Sequence, residues 1–428
     1  MTTEESSESG ESGATDGPAG ARDARATRGE AGAPDPFAPA QLGPITLRNR
    51  IIKAATFEGV MPDALVTREL IDYHLAPARG GVGMTTVAYL AVSPDGRTHK
   101  ECIWMRPEAV PGLAKLADEV HATGAAVAGQ IGHAGPVANP RSNGVPSIAP
   151  SRAFSALGMR MIKSATHADL ERVRNDYGRA AALVEQAGFD SVEIHLGHNY
   201  LLSAFLAPGL NKRDDIYGGS LENRARYPRE VVRTVREALG DHVAFTAKLN
   251  MVDAIPGGLK IDESLEVAQM LADDGCLDAL ELTGGSSYGN PMFLFRGDAP
   301  VAEFAQTLPR LLRPGFKLMG DKLMKSYPFE EAYFAEQAAR FRDAVDLPII
   351  LLGGINRLDT IEAAMADGFA FVAMGRALLH QPDLVSRMQA GEQAAGECIH
   401  CNRCMPTIHS GTRCVLLDPE PIAVGPPV

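Results

Sequence analysis

Short apolar runs, often β-branched, alternate with amphipathic helical stretches from Ile51 onward. Strands that alternate with helices indicate a parallel sheet. The strand candidates are Ile51–Thr56, Val82–Val92, Ala126–Ile131, Val192–His195, Ala244–Leu249, Ala279–Thr283, Ile349–Leu352 and Phe371–Met374. The helical stretch DLERVRNDYGRAAALVEQAG between two of them ends at a glycine, which is typical of the position just beyond a helix C-terminus.

Eight such strands predict the α/β class and a closed (β/α)8 TIM barrel rather than an open doubly wound sheet. The open sheet needs a glycine-rich turn after its first strand to hold a dinucleotide, and IIKAATFEG contains none. The chain has 428 residues, 45% of them hydrophobic, so it is long enough to bury a core of this size. We expect the barrel to span residues 37–397.

The two ends of the chain differ from the barrel in composition. Residues 1–36 are mostly Glu, Ser, Gly and Ala, which predicts a disordered, acidic and glycine-rich tail. Residues 398–428 form a cysteine-rich C-terminal segment, which holds four of the chain's six cysteines.

Charge and hydropathy narrow the expected partners. A net charge of −12 argues against nucleic acid and anionic lipid. No apolar run approaches the roughly 18 residues that cross a bilayer, so no membrane association is expected. The first residues lack the basic and apolar regions of a secretory signal, which predicts a cytoplasmic location. The expected partner is a small-molecule substrate, and formation of a homo-oligomer stays open.

Two connections are long for this fold, from Gly135 to Ala165 and from Ser286 to Pro328. Connections of this length are uncommon unless they cover or line a binding site. The second carries Tyr288, Phe293 and Phe295, which form either a wall for an apolar substrate or a cluster packed on the barrel rim.

Neighbouring strand ends carry glycines that suit a phosphate. Gly353 and Gly354 follow the seventh strand, and Gly375 and Arg376 follow the eighth. Glycine lets backbone N–H groups approach an anion closely, and arginine adds a charged bidentate contact. The loops after these two strands are the usual phosphate site of the fold. We predict a phosphorylated ligand there; glycines that only form tight turns are the alternative.

The fourth strand ends in EIHLGHNYLL, which places His195, His198 and Tyr200 at the barrel mouth. Two imidazoles can donate hydrogen bonds to one carbonyl oxygen and stabilise the charge that develops on it. A tyrosine can deliver a proton to carbon and stay protonated at neutral pH. The two histidines are also spaced as zinc ligands, but no carboxylate or further histidine nearby completes that site.

Two further strands carry polar groups toward the same end. Gln130 offers both a donor and an acceptor to a heteroaromatic ring. Lys248 lies in an apolar strand and needs a partner, because a buried unpaired ammonium is costly. An anionic reduced flavin is one such partner, and a salt bridge with Glu193 or Glu281 is the alternative.

Several stretches of the chain match one family in its own order. They are LRNRIIKAAT, GGVGMTT, AVSPDGR, AGQIGHAGP, AGFDSVEIHLGHNYLLSAFLAPGLNKRDDIYGGSLENRARY, LLGGIN and FVAMGRALL. From about Ala38 to Cys414 the chain resembles the old yellow enzyme family, in the branch near 2,4-dienoyl-CoA reductase and trimethylamine dehydrogenase. The resemblance implies a barrel that binds FMN, takes hydride from NADH or NADPH onto flavin N5, and passes it to an enone-like substrate.

The resemblance also assigns roles to residues. His195 and His198 fall on the pair that binds the activating oxygen of the substrate, and Tyr200 falls on the proton donor. The residues that fall on the flavin site are Ala54, Ala55, Thr56, Gln130, Lys248, Gly353, Gly354, Gly375 and Arg376. Lys248 stands where an arginine is usual in the family, so the positive charge is kept but the planar guanidinium, which can donate two parallel hydrogen bonds, is lost. Phe57 stands where relatives often carry a Cys, Thr or His that tunes the flavin, which puts the redox potential in doubt.

Cys398, Cys401, Cys404 and Cys414 form a C-x2-C-x2-C-x9-C motif. Four thiolates with this kind of spacing hold iron–sulfur clusters, and the spacing is similar to that of trimethylamine dehydrogenase. The three readings are a 4Fe–4S cluster, a zinc ion bound by the same ligands, and four free thiols.

The leading functional prediction is an ene-reductase that moves hydride from NAD(P)H through FMN to the C=C bond of an α,β-unsaturated carbonyl compound. An amine-oxidising flavoprotein is the second prediction. A non-catalytic barrel that binds a phosphate ligand is the third, and the presence of His195, His198 and Tyr200 argues against it.

Overall fold

The computed structural model describes residues 32–155, 158–308, 310–311 and 313–428. The predicted N-terminal tail therefore lies outside the described residues as far as residue 31. The strands are β1 (Ala40–Leu42), β2 (Ile45–Leu47), β3 (Ile51–Lys53), β4 (Met84–Ala91), β5 (Ala126–Gly132), β6 (Ile148–Ala149), β7 (Ala153–Ser155), β8 (Arg160–Ser164), β9 (Ser191–Leu196), β10 (Ala244–Asn250), β11 (Ala279–Thr283), β12 (Ile349–Leu352) and β13 (Phe371–Met374).

Eight of these strands close into one parallel barrel. Their order around it is β3-β4-β5-β9-β10-β11-β12-β13 and back to β3, so the strands follow one another as they do along the chain. The predicted TIM barrel and all eight predicted strands are confirmed. The first strand ends at Lys53 rather than Thr56, because the chain beyond Ala54 leaves the ladder and turns into the mouth.

Helices cover the outside of the barrel. They are α1 (Arg68–Arg79), α2 (Val110–His121), α3 (Pro140–Asn143), α4 (His167–Gln186), α5 (Leu201–Leu206), α6 (Leu221–Ala238), α7 (Ile261–Asp273), α8 (Met292–Phe295), α9 (Val301–Thr307), α10 (Arg313–Leu323), α11 (Ala335–Ala344), α12 (Leu358–Ala366), α13 (Arg376–His380) and α14 (Leu384–Gln389). None of the helices in the described part of the chain is long and apolar enough to cross a membrane.

Strand side chains alternate between the inside and the outside of the barrel. The inside is filled at one end by a small apolar cluster in which Leu42 and Leu47, from the β1–β2 hairpin, join Ile52, Ile350 and Phe371. The outward side chains pack with the helices into the main core. The hairpin therefore closes the N-terminal end of the barrel, and the chemistry is left to the opposite end.

The two long connections meet over that open end, the mouth of the barrel. The first contains α3 and the antiparallel hairpin β7–β8, and the second contains α8, α9 and α10. The hydroxyl of Tyr288 donates to the carbonyl oxygen of Phe154 at 3.1 Å and so joins the two. Phe293 packs against Tyr327 and Phe334, so the packing interpretation holds for this ring.

Candidate functional site

His195, His198 and Tyr200 lie together at the mouth. The ring centroids of His195 and Tyr200 are 4.6 Å apart, and those of His195 and His198 are 5.0 Å apart. His195 is the last residue but one of β9, and Tyr200 precedes the first turn of α5. The Nδ1 atom of His195 is buried and has no hydrogen-bond partner among the described residues. A buried polar atom of this kind is costly unless a ligand satisfies it.

The turn that carries His198 is held in an uncommon backbone conformation. His198 and Asn199 have φ values of 58° and 59°, in the left-handed region that few residues other than glycine adopt. The side-chain oxygen of Asn250 accepts a hydrogen bond from the backbone N–H of His198 at 3.1 Å. His198 Nε2 lies 3.0 Å from the hydroxyl of Thr283. These contacts from two neighbouring strands fix the orientation of the imidazole.

A buried amide–carboxylate pair supports that turn. Asn250 donates to Asp253 Oδ1 at 2.6 Å, and Asp253 Oδ2 accepts from the side chain of Asn199 at 2.8 Å. Sequence reasoning missed these residues, although Asn250 ends a barrel strand on the side where the chemistry lies. The pair acts on the reaction through the position of His198.

Burial sets the protonation states at the mouth. Burial, and then the charges of His198 and Lys248, holds the pKa of His195 well below its ordinary value. Burial and Lys248 lower the pKa of His198 to about 3. Burial, with a smaller effect of Cys102, raises the pKa of Tyr200. At neutral pH the site therefore presents two neutral imidazoles and a protonated phenol.

A line of buried polar side chains crosses the inside of the barrel below the mouth. Gln130 donates to Glu193 at 2.7 Å, and Lys248 Nζ lies 2.9 Å from Glu193 and 2.7 Å from Glu281. Lys248 therefore forms the salt bridges with Glu193 and Glu281 that the sequence offered as the alternative to a flavin contact. Burial alone would lower the pKa of Lys248, but the two carboxylates raise it. Burial raises the pKa of Glu281 to about 7, against the opposing effect of Lys248.

Small side chains leave room beside this line. Ala54 faces the barrel interior, and Ala55 packs near Tyr200 at the mouth. The hydroxyl of Thr56 donates to the carbonyl oxygen of Ala54 at 3.2 Å. Phe57 contacts both the main core and the cluster at the mouth. The predicted first-strand residues therefore border the same space as the catalytic candidates.

The glycines of the predicted phosphate site differ from one another. Gly353 and Gly354 have φ values of 109° and 76°, and a Cβ at Gly354 would lie 2.6 Å from the ring of Tyr333. These two glycines are required by the turn and by the packing of the aromatic ring. Gly375 has no atom within 4 Å of the place that a Cβ would take, so the chain is open there to a ligand. The need for a tight turn thus explains the glycines at 353 and 354, but it does not explain the glycine at 375.

Two arginines lie near this turn. Arg376 donates to the carbonyl oxygen of Arg296 at 2.9 Å and also contacts the side-chain oxygen of Asn402. The guanidinium of Arg296 lies 4.8 Å from the ring centroid of Tyr333, and its Nε is buried without a hydrogen-bond partner. Neither arginine pairs with a carboxylate within the described residues. Sequence reasoning missed Arg296, the single charge in the run MFLFRG. The region fits a doubly charged phosphate, which needs cations.

The four cysteines of the C-terminal segment, all free thiols, surround one cavity. We call it the cysteine cavity. Its lining consists of Arg376, Leu379, His380, Cys398, Ile399, Cys401, Asn402, Cys404, Cys414, Val415 and Leu416. His380 Nδ1 lies 3.2 Å from Cys414 Sγ. In the described part of the chain no three such side chains approach closely enough to hold a single metal ion. Zinc needs its sulfur ligands about 2.3 Å from one point, whereas an iron–sulfur cluster binds each thiolate at a different iron and so needs them around a volume.

The segment is joined to the barrel near the first strand. Thr412 donates to the carbonyl oxygens of Phe57 and Glu58, through its hydroxyl and its backbone N–H. Val428 donates to the carbonyl oxygen of Val66. The cysteine cavity therefore lies at the same end of the barrel as the predicted phosphate site, with Arg376 common to both.

The sequence and the fold of the chain are similar to those of known reductases. The chain is 56% identical over 388 residues, 90% of its length, to the 4,4'-dithiodibutanoate disulfide reductase of Rhodococcus erythropolis, and covers 96% of that protein. It is 29% identical over 371 residues, 86% of its length, to the multifunctional alkene reductase/demethylase OYE of Caballeronia cordobensis. The chain spans about half of the latter protein, 50% of its length. The structure of morphinone reductase in complex with tetrahydroNAD superposes with a TM-score of 0.64 at 25% identity, over 85% of this chain and 93% of that one.

Residues 35–280, more than half of the chain, match the NADH:flavin oxidoreductase / NADH oxidase family. The predicted family is confirmed. Because the matched relatives include reductases, the comparisons favour the predicted reductase over the amine-oxidising flavoprotein and the non-catalytic barrel. The chain belongs to the NADH:flavin oxidoreductase / NADH oxidase family and is an FMN-dependent oxidoreductase driven by NADH or NADPH.

Proposed function

We propose that the substrate is an α,β-unsaturated carbonyl compound whose C=C bond is reduced at the mouth. The observation that carries the proposal is a buried cluster in which neutral His195 contacts both neutral His198 and protonated Tyr200. This set can hold a carbonyl oxygen and supply a proton, which are the two things that alkene reduction requires besides hydride.

The side chains at the mouth have separate roles in this reaction. FMN would supply the hydride for the substrate carbon, drawn from NADH or NADPH, and the residues named in the next paragraph would hold it. His195 and His198 donate hydrogen bonds to the carbonyl oxygen and stabilise the negative charge that develops there. The hydroxyl of Tyr200 gives its proton to the second carbon and recovers a proton from solvent. Because both histidines are neutral, they orient the substrate without competing as acids.

We propose that FMN is held by residues around the open end of the barrel. Gln130 and Lys248 would face the pyrimidine, with Ala54, Ala55 and Thr56 beside the ring. Gly375 and Arg376 would hold the phosphate, together with the turn at Gly353 and Gly354, and Arg296 would supply a second cation. The support is the open space at Gly375 and the two arginines, neither of which pairs with a carboxylate among the described residues.

Steady-state oxidation of NADH and of NADPH in the presence of a panel of enones tests the proposed substrate class. We expect dinucleotide oxidation without oxygen, one equivalent for each alkene reduced. A protein that binds FMN but oxidises neither dinucleotide with any enone would contradict the proposal.

A second candidate substrate is an organic disulfide, favoured by the 56% identity to the 4,4'-dithiodibutanoate disulfide reductase. Hydride and one proton would cleave the S–S bond to two thiols, while NADH becomes NAD⁺, so that atoms and electrons balance. The same assay with 4,4'-dithiodibutanoate distinguishes the two candidates. Two thiols per NADH would establish the disulfide, and no thiol release would exclude it.

We also propose that the cysteine cavity holds a 4Fe–4S cluster. The support is the position of all four thiols around one cavity. Anaerobically purified protein should contain about four iron and four sulfide per chain. In Cys401→Ser, a change outside the mouth, the iron should fall while FMN stays bound. Protein without iron or sulfide, with four titratable thiols, would contradict the proposal.

A further inference from the structure

The buried polar residues below the mouth do not balance in charge. Four neighbouring strands, β5, β9, β10 and β11, carry Gln130, Glu193, Lys248 and Glu281 inside the barrel. We call these four side chains the polar line. All of them are buried. The polar line contains two carboxylates and one ammonium, so it carries one excess negative charge when all three groups are ionised.

The two carboxylates of the polar line are not equally well supported. Glu193 Oε1 accepts hydrogen bonds from Gln130 at 2.7 Å and from Lys248 at 2.9 Å. Glu281 Oε1 lies 2.7 Å from Lys248 Nζ but is not aligned for a hydrogen bond, and it has no hydrogen-bond partner within the described residues. A buried carboxylate without hydrogen bonds is costly, and it avoids that cost by taking up a proton. Glu281 is therefore the member of the polar line that is placed to hold a proton.

Few other groups influence the charge of Glu281. The side chains that face it inside the barrel are Lys248 on β10, Glu193 on β9 and the apolar Ile350 on β12. His195 lies on the far side of Lys248, where burial keeps it neutral. Lys53 on β3 packs on an aromatic ring of α1. Burial and the negative charge of Glu193 raise the pKa of Glu281 to about 7, against the opposing effect of Lys248.

We propose that Glu281 takes up one proton when the flavin is reduced and releases it when the flavin is reoxidised. This inference rests on the FMN site of the proposed function, which puts Lys248 beside the pyrimidine. A hydride carries two electrons and one proton, so reduction by NADH yields NAD⁺ and leaves one more negative charge on the flavin. Lys248 cannot balance that charge and two carboxylates, and Glu281 therefore takes a proton from solvent. The proton returns to solvent when hydride leaves for the substrate.

The midpoint potential of the bound flavin, measured against pH by spectroelectrochemical titration of the FMN-loaded protein, tests this without turnover. For a two-electron reduction, each proton taken up lowers the potential by about 30 mV per pH unit, the equivalent of a tenfold change in the equilibrium constant. Below pH 7 Glu281 is already protonated, so only the proton that joins the flavin counts and the wild-type slope should be about 30 mV per unit. Above pH 7 Glu281 adds a second proton, and the slope should be about 60 mV.

Glu281→Gln should keep the slope of about 30 mV throughout, so that its potential lies about 60 mV above that of wild type at pH 9. The matched control is Glu185→Gln, which removes a half-buried carboxylate from α4 on the outside of the barrel. It should show the same break in slope as wild type.

An infrared difference spectrum of the wild-type protein, reduced minus oxidised, detects the proton directly and does not depend on the folding of a variant. Above pH 7 the C=O band of a protonated carboxylic acid should appear on reduction, and Glu281→Gln should lack it. Equal slopes in wild type and Glu281→Gln, or no such band in wild type, would overturn the inference. So would loss of the steeper slope in Glu193→Gln but not in Glu281→Gln. Flavin that shows both signals but is reoxidised by neither enone nor disulfide would refute the proposed function and leave the inference standing.

Discussion

The mouth and the cysteine cavity lie at the same end of the barrel but are built differently. At the mouth, each group is already held by its neighbours: His198 by Asn250 and Thr283, and Tyr200 by the ring of His195. At the cysteine cavity the thiols surround a space, and Ile399 on its rim is 68% exposed. The side chains of the first region are positioned before any ligand binds, whereas the second region depends on the group that fills it.

The mouth and the cysteine cavity also differ in the protonation states of their side chains. At the mouth, burial favours the neutral forms that the chemistry needs. In the cavity, burial raises the pKa of Cys404 to about 12, although the guanidinium of Arg376 opposes this. The thiolate of Cys404, the form that a metal requires, would therefore arise only with the charge of a bound metal. Changes at the mouth should alter rates, and changes at the cavity should alter what the protein contains.

The largest effect is expected for Tyr200→Phe. The reoxidation of reduced protein by a weakly activated enone should slow by about 10²–10⁴-fold, because a general acid is lost. Flavin reduction by NADH, which needs no proton from Tyr200, should stay near the wild-type rate. Stopped-flow measurement of each half-reaction separates the two. Reoxidation at the wild-type rate would show that solvent supplies the proton.

Arg376→Ala tests the residue that the two regions share. The loss of a charge-assisted contact should weaken FMN binding by about 1.5–3 kcal/mol, or roughly 10- to 150-fold. Flavin content and fluorescence titration measure this directly. The outer-helix variant Arg226→Ala controls for the loss of an exposed arginine. Equal flavin affinity in Arg376→Ala and wild type would remove Arg376 from the phosphate site.

The stability of the mouth should depend on pH through His198. In the folded protein His198 stays neutral down to a pKa of about 3, whereas the unfolded chain takes up a proton below about pH 6.5. Stability is therefore full above that pH and falls as the pH decreases, by about 2 kcal/mol at pH 5. His198→Gln should show a shallower decline in urea unfolding than wild type, and the exposed control His242→Gln should not. Parallel curves would contradict the assigned neutral state.

The smallest effect is expected for Asn250→Ala, which removes the support of the His198 turn. A net loss of about 0.5–1.5 kcal/mol per hydrogen bond predicts a several-fold lower kcat/KM for an enone. Flavin reduction should be unaffected, and Asn250→Asp, which sets a second carboxylate against Asp253, should not recover the activity that the alanine variant loses. A uniform loss in both half-reactions would indicate a purely structural role.

The strands of the barrel were predictable because each is a compact apolar run between helical stretches. The three-residue strands β1 and β2 were missed, since runs so short carry no clear period. His195, His198 and Tyr200 were predictable because they lie within six residues of one strand end. Asn250, Asp253 and Arg296 reach the site from other elements, and nothing local in the sequence joins them to it. The partners of Lys248 were foreseen as an alternative because each adjacent strand carries a carboxylate, Glu281 opposite Lys248 and Glu193 opposite Thr246.

The most direct test of the central claim is an anaerobic titration of the purified protein, followed by flavin absorbance. NADH or NADPH should bleach the yellow flavin, and one equivalent of an enone should restore the colour in the absence of oxygen. Flavin that is bleached by the dinucleotide but stays reduced with every enone would contradict the claim that this protein reduces activated alkenes.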